Sequence, residues 1–474
     1  MKKGLVIGGG FAGLSASVHL SNAGYQVELI EASPKLGGRA YSFIHKPTNT
    51  LIDNGQHIMM GCYKETLKFL RVINALDKIE IQKKLDVKFL SPSFELHELK
   101  ATSLFYPFNL LGAILNYSAI SLWERLSILR VFLKLPFFAQ RDLSKMSVDD
   151  LLMKENQNEN VKKAFWEIIC VGALNTNLKK ASAKIFVDIL KEIFLKGNFD
   201  SKIILPKASL SEMYCLPAKQ FIEARGGKIF LSESVEEVKL EKKRAVEVRT
   251  DQRNITDFDF VISAVPFYAA NKFLSFLKLK TVETVNEKVL DSVLNGINPV
   301  ENGNEPSDLN RFNGLSNKTL ESEKINDFSP QYSSILNVHI WLTEAKKENR
   351  FGKNFYALIG SKLHWIFSHD THLSCVISDA DHLMILTDNE IMNMIYSELE
   401  KYMKIFRQDI KDYFIMKEKR ATFIPSNEIL NNRPNTETEI KNLFLAGDWV
   451  NTGLPSTIES AVKSGRAAAA LVDY

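Results

Sequence analysis

Cysteine is scarce in this 474-residue chain: Cys62, Cys170, Cys215 and Cys375 are scattered, with no C-x-x-C pair and no metal-like spacing. That excludes a disulfide scaffold, points to buried thiols in a reducing compartment, and leads us to expect no metal. An excess of one charge is also missing. Sixty Lys+Arg against fifty-six Asp+Glu give +4, too mild to argue for a nucleic-acid partner. No internal repeat is present. Uninterrupted apolar runs are few: Leu104 to Trp123 carries no charged residue and is nearly long enough to span a bilayer, but Pro107, Asn109, Asn116, Ser118 and Ser121 break it. Met1-Lys2-Lys3 and the apolar residues after it imitate a signal peptide. That run ends in glycines and reads as a first strand, so we expect no cleavage and a cytoplasmic protein. What the chain does have is bulk: at 45% hydrophobic it can bury a large core, divided between two intertwined domains.

The first feature present is glycine in register. Leu5-Val6-Ile7 leads into Gly8-Gly9-Gly10-Phe11-Ala12-Gly13, a helical stretch follows, and Val27-Glu28-Leu29-Ile30-Glu31 forms a second strand. Gly8 permits the tight turn, Gly10 lets the chain approach a pyrophosphate, and Gly13 lets the helix pack on the sheet. Phe11 and Ala12 open that helix, whose unpaired N–H groups and partial positive charge suit phosphates. Glu31, with Ala32 after it, places a carboxylate where ribose hydroxyls can donate, and an acid there disfavours a 2′-phosphate. Gly37-Gly38-Arg39 adds exposed backbone N–H groups and a cation able to fork onto phosphate.

The second half of the pattern lies four hundred residues away. Leu445-Ala446-Gly447-Asp448 and then Gly453-Leu454-Pro455-Ser456-Thr457-Ile458-Glu459 suit the ring end of a flavin, with Asp448 fitting a ribityl hydroxyl. Together the two ends imply FAD. There is no second dinucleotide fingerprint, so a nicotinamide cofactor has no evident site of its own.

Between these ends we expect a Rossmann-like α/β FAD-binding domain in three pieces (residues 1–77, 201–277 and 421–474), interleaved with a substrate domain of mixed sheet and helices. The helical part, 78–200, carries an apolar stripe with Arg125, Arg130 and Lys134 from Ser121 onward. An interfacial helix pair dipping into one leaflet and an ordinary buried helix both fit it. Met213 to Ala224 reads as a helix before the third cofactor strand, with Val235 placed to meet adenine through its backbone. Residues 278–331, rich in Asn, Ser, Glu and Lys, read as a flexible polar insertion. Strand-like runs at 335–341, 355–359, 363–367 and 374–378 form the substrate-domain sheet in 332–420.

Taken with Asp53-Asn54-Gly55-Gln56-His57-Ile58, Leu363-His364-Trp365-Ile366-Phe367, Val376-Ile377-Ser378, Lys419-Arg420-Ala421-Thr422-Phe423 and Arg433-Pro434, these motifs resemble the amine oxidase/phytoene desaturase superfamily. More narrowly they resemble the hydroxysqualene dehydroxylases. That resemblance implies an FAD enzyme of squalene and hopanoid biosynthesis. It would remove the hydroxyl of a hydrophobic isoprenoid, hydroxysqualene, with hydride from reduced FAD; the leaflet-dipping alternative for the stretch from Leu104 to Lys134 adds peripheral contact with the inner face of the cell membrane. It leaves the FAD reductant open. A carotenoid-type desaturase is the alternative, and a non-catalytic prenyl-lipid-binding relative is disfavoured by the intact FAD motifs. Amine oxidases usually place an aromatic residue one position before the residue whose N–H meets the ring; here Thr457 precedes Ile458, which argues against an amine substrate. Gly55, Gln56 and His57 lie in a loop expected near the flavin. His57 either protonates the leaving hydroxyl or shapes that loop. Trp341, Trp365 and Phe367 either line a tunnel or belong to the core.

Overall fold

The computed structural model describes residues 2–274, 277, 330–344 and 354–472. The expected polar insertion lies almost wholly outside the described residues.

The FAD-binding domain is organised by a five-stranded parallel sheet. Its strands run in the order Lys228–Leu231, Gln26–Glu31, Lys3–Ile7, Phe260–Ser263 and Leu443–Leu445. Each is a short, nearly continuous apolar run, as expected where helices cover both faces. Lys3–Ile7 is central because the chain turns from it directly into the Phe11–Asn22 helix. Gly8 at φ +106° makes that turn, and a Cβ on Gly13 would lie 1.8 Å from the Gly8 carbonyl oxygen. The helix ends at Asn22 and Gly24 follows at φ +87°, a left-handed geometry that favours glycine. The expected 213–224 helix begins as a wide π turn, Ser211–Cys215, and continues over Leu216–Glu223. Val235 opens a separate hairpin, Val235–Glu241 with Arg244–Thr250, turned through Lys242 and Lys243 at positive φ.

The substrate domain is built on a seven-stranded mixed sheet. Its order is Ile410–Phe423, Tyr332–Leu342, Leu373–Ile377, Trp365–Ser368, Phe355–Leu358, Asp86–Ser91 and Glu95–Lys100. The last two strands come from the segment between residues 78 and 200, which otherwise holds helices and one short strand, Ile79–Ile81. The Asp388–Met403 helix covers one face of the sheet, burying Ile391, Ile395 and Leu399 against Leu336, Val338, Ile366 and Cys375. The other face turns toward the Glu167–Leu174 and Ala183–Phe194 helices. The uncharged stretch from residue 104 does not form one long helix. It gives an eight-residue helix, Phe108–Leu115, then a turn, and Leu122–Lys134 begins with a Ser121/Glu124 capping box. No helix among the described residues is long and apolar enough to cross a membrane. The four cysteines are free thiols.

The two ends of the chain meet helix to helix. Ile458–Leu471 lies against Phe11–Asn22 so closely that a Cβ on Gly465 would come 2.1 Å from the Ala12 carbonyl oxygen. Ser15 Oγ donates to Val462 O at 2.9 Å in the same seam. Gly465→Val must push these helices apart, and overpacking of this kind costs about 1–3 kcal/mol or more. We expect a lower urea midpoint for this variant; an unchanged midpoint would show that the seam yields without cost.

Candidate functional site

The C-terminal ends of the parallel strands open into a cavity of about 1380 Å³ that runs on between the seven-stranded sheet and its helices. A site for one small ligand typically occupies about 300–1,000 Å³, so this space accommodates a cofactor and a second molecule. Every cofactor residue expected from sequence lines it except Gly13, whose role is the helix–turn contact described above.

One pole is built for a dinucleotide. Gly10 and Gly38 face each other bare: a Cβ on Gly10 would meet Gly38 Cα at 3.8 Å and Gly37 O at 3.9 Å, so any larger side chain would fill the cradle. Gly10 caps the helix with no side-chain hydrogen bond to its first turn, so the first amides are left for an anion. Glu31 accepts from Gly9 N–H at 2.6 Å and from Ser33 N–H at 2.8 Å, which fixes the carboxylate at the cavity edge while each oxygen keeps acceptor capacity. These features fit FAD. After the fourth strand, Val265, Pro266 and the first turn of the Phe267–Phe273 helix, with Tyr268 and Ala269, line the same cavity. The apolar strand was legible in sequence, but nothing in the composition of the residues after it marked them as a wall.

The other pole is held by a clasp between the two chain ends. Arg39 does not project alone: its guanidinium reaches Asp448 Oδ1 at 2.5 Å and Ala421 O at 3.0 Å. Ser456 Oγ donates to the second Asp448 oxygen. Burial alone would raise the Asp448 carboxyl, but Arg39 and Ser456 hold it below the usual carboxylate range. Arg433, one residue before Pro434, fixes the turn that follows. It donates to Asp448 O at 2.6 Å and Leu454 O at 2.5 Å, and also to Val450 O. Burial among carbonyls pushes this arginine down to about 10. The Arg-Pro motif signalled its importance but not its partners. Glu459 is more than a favourable charge on its own helix. It accepts from Glu65 N–H at 2.8 Å, Thr66 N–H at 2.9 Å and Thr66 Oγ at 2.7 Å, capping the Lys64–Val72 helix across the site.

Between the poles lies the Asn54–His57 loop. Asn54 donates to Arg39 O and accepts from Tyr41 N–H, and Asn337 Nδ2 donates to Asn54 O at 3.3 Å. His57 Nδ1 lies 2.8 Å from Gly55 O. A carbonyl can only accept, so Nδ1 carries the proton and Nε2 is the basic edge. Burial lowers the His57 pKa from its ordinary value despite that bond. An imidazole pinned in this way shapes the loop and leaves Nε2 as the atom able to exchange a proton, so both readings of His57 stand.

The cavity then continues as an apolar wing. The sheet contributes Val87, Phe89, Leu99, Trp365, Phe367 and Val376; the helices contribute Ile168, Val171, Ile185, Ile189 and Ile193. Trp365 and Phe367 therefore line the tunnel. Trp341 does not: it shares the face of Trp365 and Phe367 but lies outside the cavity, stacking on His45 at 4.6 Å and donating to Thr50 Oγ at 3.1 Å. No cluster of metal-ligating side chains occurs among the described residues.

If Gly10 forms the floor of a pyrophosphate site, Gly10→Val should be purified without most of its flavin while keeping its circular dichroism spectrum. A variant as yellow as the wild type would refute this assignment.

Several known proteins share this architecture. The chain is 26% identical to the hydroxysqualene dehydroxylase of Zymomonas mobilis subsp. mobilis over 470 residues, covering 98% of each chain. It is also 26% identical to that of Sinorhizobium fredii, covering 98% of this chain and 97% of the other. A zeta-carotene desaturase from Synechocystis sp. is 22% identical, over 98% of this chain and 96% of its own. Among solved structures, a putrescine oxidase double mutant superposes with a TM-score of 0.69 at 14% identity, over 100% of this chain and 99% of the other, a likeness of fold alone. The family described as flavin containing amine oxidoreductase matches residues 11–292 and 310–473. Glycine cradle, clasp and match agree: the chain belongs to the flavin containing amine oxidoreductases and is an FAD-dependent oxidoreductase.

Proposed function

We propose that the chain reduces a long isoprenoid alcohol, converting hydroxysqualene to squalene. The observation that carries this reading is the apolar wing, whose aliphatic and aromatic walls run from the flavin pole between sheet and helices, with Asp188, Lys191, Glu192 and Lys196 as the charged groups of its helical side. The full-length relatives named hydroxysqualene dehydroxylase support the same substrate. In the overall step the C–O bond breaks, the oxygen leaves as water after taking up a proton, and a hydride adds to the carbon skeleton. Reduced FAD, when bound, supplies that hydride. The protein's own part is to orient the chain, exclude water and steady positive charge as the C–O bond opens. Trp365 and Phe367 turn aromatic surface toward this space, and ring faces attract cations. The Asn54–His57 loop borders the pole where polar site and apolar wing join. His57 remains the candidate for handling the proton at the hydroxyl. With Nδ1–H held by Gly55, that exchange would pass through Nε2.

The desaturase alternative keeps support from the zeta-carotene desaturase relative. A desaturase would remove hydride from a hydrocarbon, so the two readings differ in redox direction. Chemically reduced holoenzyme, kept anaerobic with hydroxysqualene, should yield squalene. Formation of a desaturated product from phytoene by oxidised enzyme, with hydroxysqualene untouched, would replace this reading with the alternative.

We also propose peripheral contact with the inner face of the cell membrane. The two helices at 108–115 and 122–134, and the turn before the first, leave large apolar side chains outward, including Phe105 at 73% and Trp123 at 81% exposed, with Leu104, Phe108, Leu122 and Leu133 beside them. Leu122, Leu126 and Leu133 share one face of the second helix with exposed Arg130, a pattern suited to an anionic lipid interface. Tyr106 donates to Phe194 O at 3.0 Å, which ties this patch to the helix that walls the apolar wing. Wild-type protein should sediment with anionic vesicles, and Phe105→Glu with Trp123→Glu should release it. Equal sedimentation of folded wild type and variant would remove the patch from consideration.

A further inference from the structure

Indole N–H groups in protein interiors normally find an acceptor. Here Trp166 donates to Gln157 at 2.9 Å, Trp341 to Thr50 at 3.1 Å, and Trp449 to Val265 O at 2.9 Å, while Trp123 is on the outer surface. Trp365 differs. It lines the apolar wing, packs beside Phe355 and Phe367, and its Nε1 has no hydrogen-bond acceptor among the described residues.

The position opposite it is also unusual. Gly172 lies inside the Glu167–Leu174 helix, where glycine costs about 0.5–1 kcal/mol relative to alanine. A Cβ there would sit 3.3 Å from Trp365 Cζ2 and 3.9 Å from Nε1. The missing side chain therefore leaves the N–H edge of the indole uncovered. Asn175, three residues on, does not compete as a donor: its amide is already shared between Ser333 O and Thr422 Oγ, and its oxygen accepts from Asp379 N–H.

We propose that Trp365 Nε1–H, kept open by Gly172, donates a hydrogen bond to the hydroxyl oxygen of the substrate, and that this pair distinguishes an isoprenoid alcohol from the corresponding hydrocarbon. This rests on the alcohol-reducing reading above and adds to it a binding residue and the atom that binds. An indole N–H can only donate, so it matches a hydroxyl oxygen and gains nothing from a hydrocarbon. The bond holds the oxygen against the ring edge while the hydroxyl's own proton stays free.

The test is binding without turnover. Oxidised holoenzyme in detergent is titrated with hydroxysqualene and with squalene, following the perturbation of the bound flavin's absorbance. The wild type should favour the alcohol, and Trp365→Phe should reduce that preference about 3- to 10-fold, the effect of one neutral hydrogen bond, with squalene affinity unchanged. Comparing preference ratios cancels micelle partitioning. Gly172→Ala, which retains the indole and partly covers its N–H edge, should reduce the preference in the same direction. An alcohol preference equal in wild type and Trp365→Phe would overturn the proposal, and so would equal weakening of both ligands, which is the behaviour of a plain wall. Turnover by reduced wild type is scored separately. A loss of preference in Trp365→Phe alongside no hydroxysqualene turnover would leave the donor in place and sink the reaction reading alone.

Discussion

The contact on which the site depends is the seam between the first helix and the last. Backbone meets backbone at Ala12 and Gly465, where a single added Cβ would collide with a carbonyl oxygen. The seam fixes Gly447–Ile458 relative to Gly8–Gly13. Gly447 N–H donates to Ser464 Oγ at 2.8 Å, so the terminal helix also positions the turn that carries Asp448. Arg39 then bridges to Asp448, and Glu459 bridges to the helix at residue 64. The flavin pole therefore cannot form until both ends of the chain are in place, and the substrate domain is inserted between them.

That insertion explains why one cavity has two characters. The parallel sheet ends in glycines, helix amides and a carboxylate, which suit a charged cofactor. The mixed sheet and its helices supply aliphatic and aromatic walls, which suit a molecule driven from water by its apolar surface. The Asn54–His57 loop stands where the two meet and is fixed from both sides, by Arg39 and Tyr41 of one domain and by Asn337 of the other. Such bracing suits a boundary that must hold its shape while chemistry occurs beside it.

Much of this was legible in sequence because its causes are local. The strand–glycine–helix–strand–acid order fixes the N-terminal pole, and continuous apolar runs gave the strands of both sheets. The fourteen-residue strand Ile410–Phe423 escaped notice because it is half-exposed and carries six charged residues, so only the short run Tyr413–Met416 marks it. The partners of Arg39, Arg433 and Glu459 were also unreadable. Each is joined to its partner by the fold rather than by spacing, and Glu459 caps a helix almost four hundred residues earlier. Trp341 and Trp365 look alike as isolated tryptophans in strands. They share a face of the sheet, and only their places along it send one into a ring stack with His45 and the other into the tunnel.

The central claim is that residues 8–13 and 447–458 form one FAD site. Hydrogen exchange of the apoprotein, before and after FAD is added, tests this directly. Amides in both segments should gain protection together and at the same FAD concentration. Protection confined to residues 8–13, with 447–458 exchanging as before, would contradict the account.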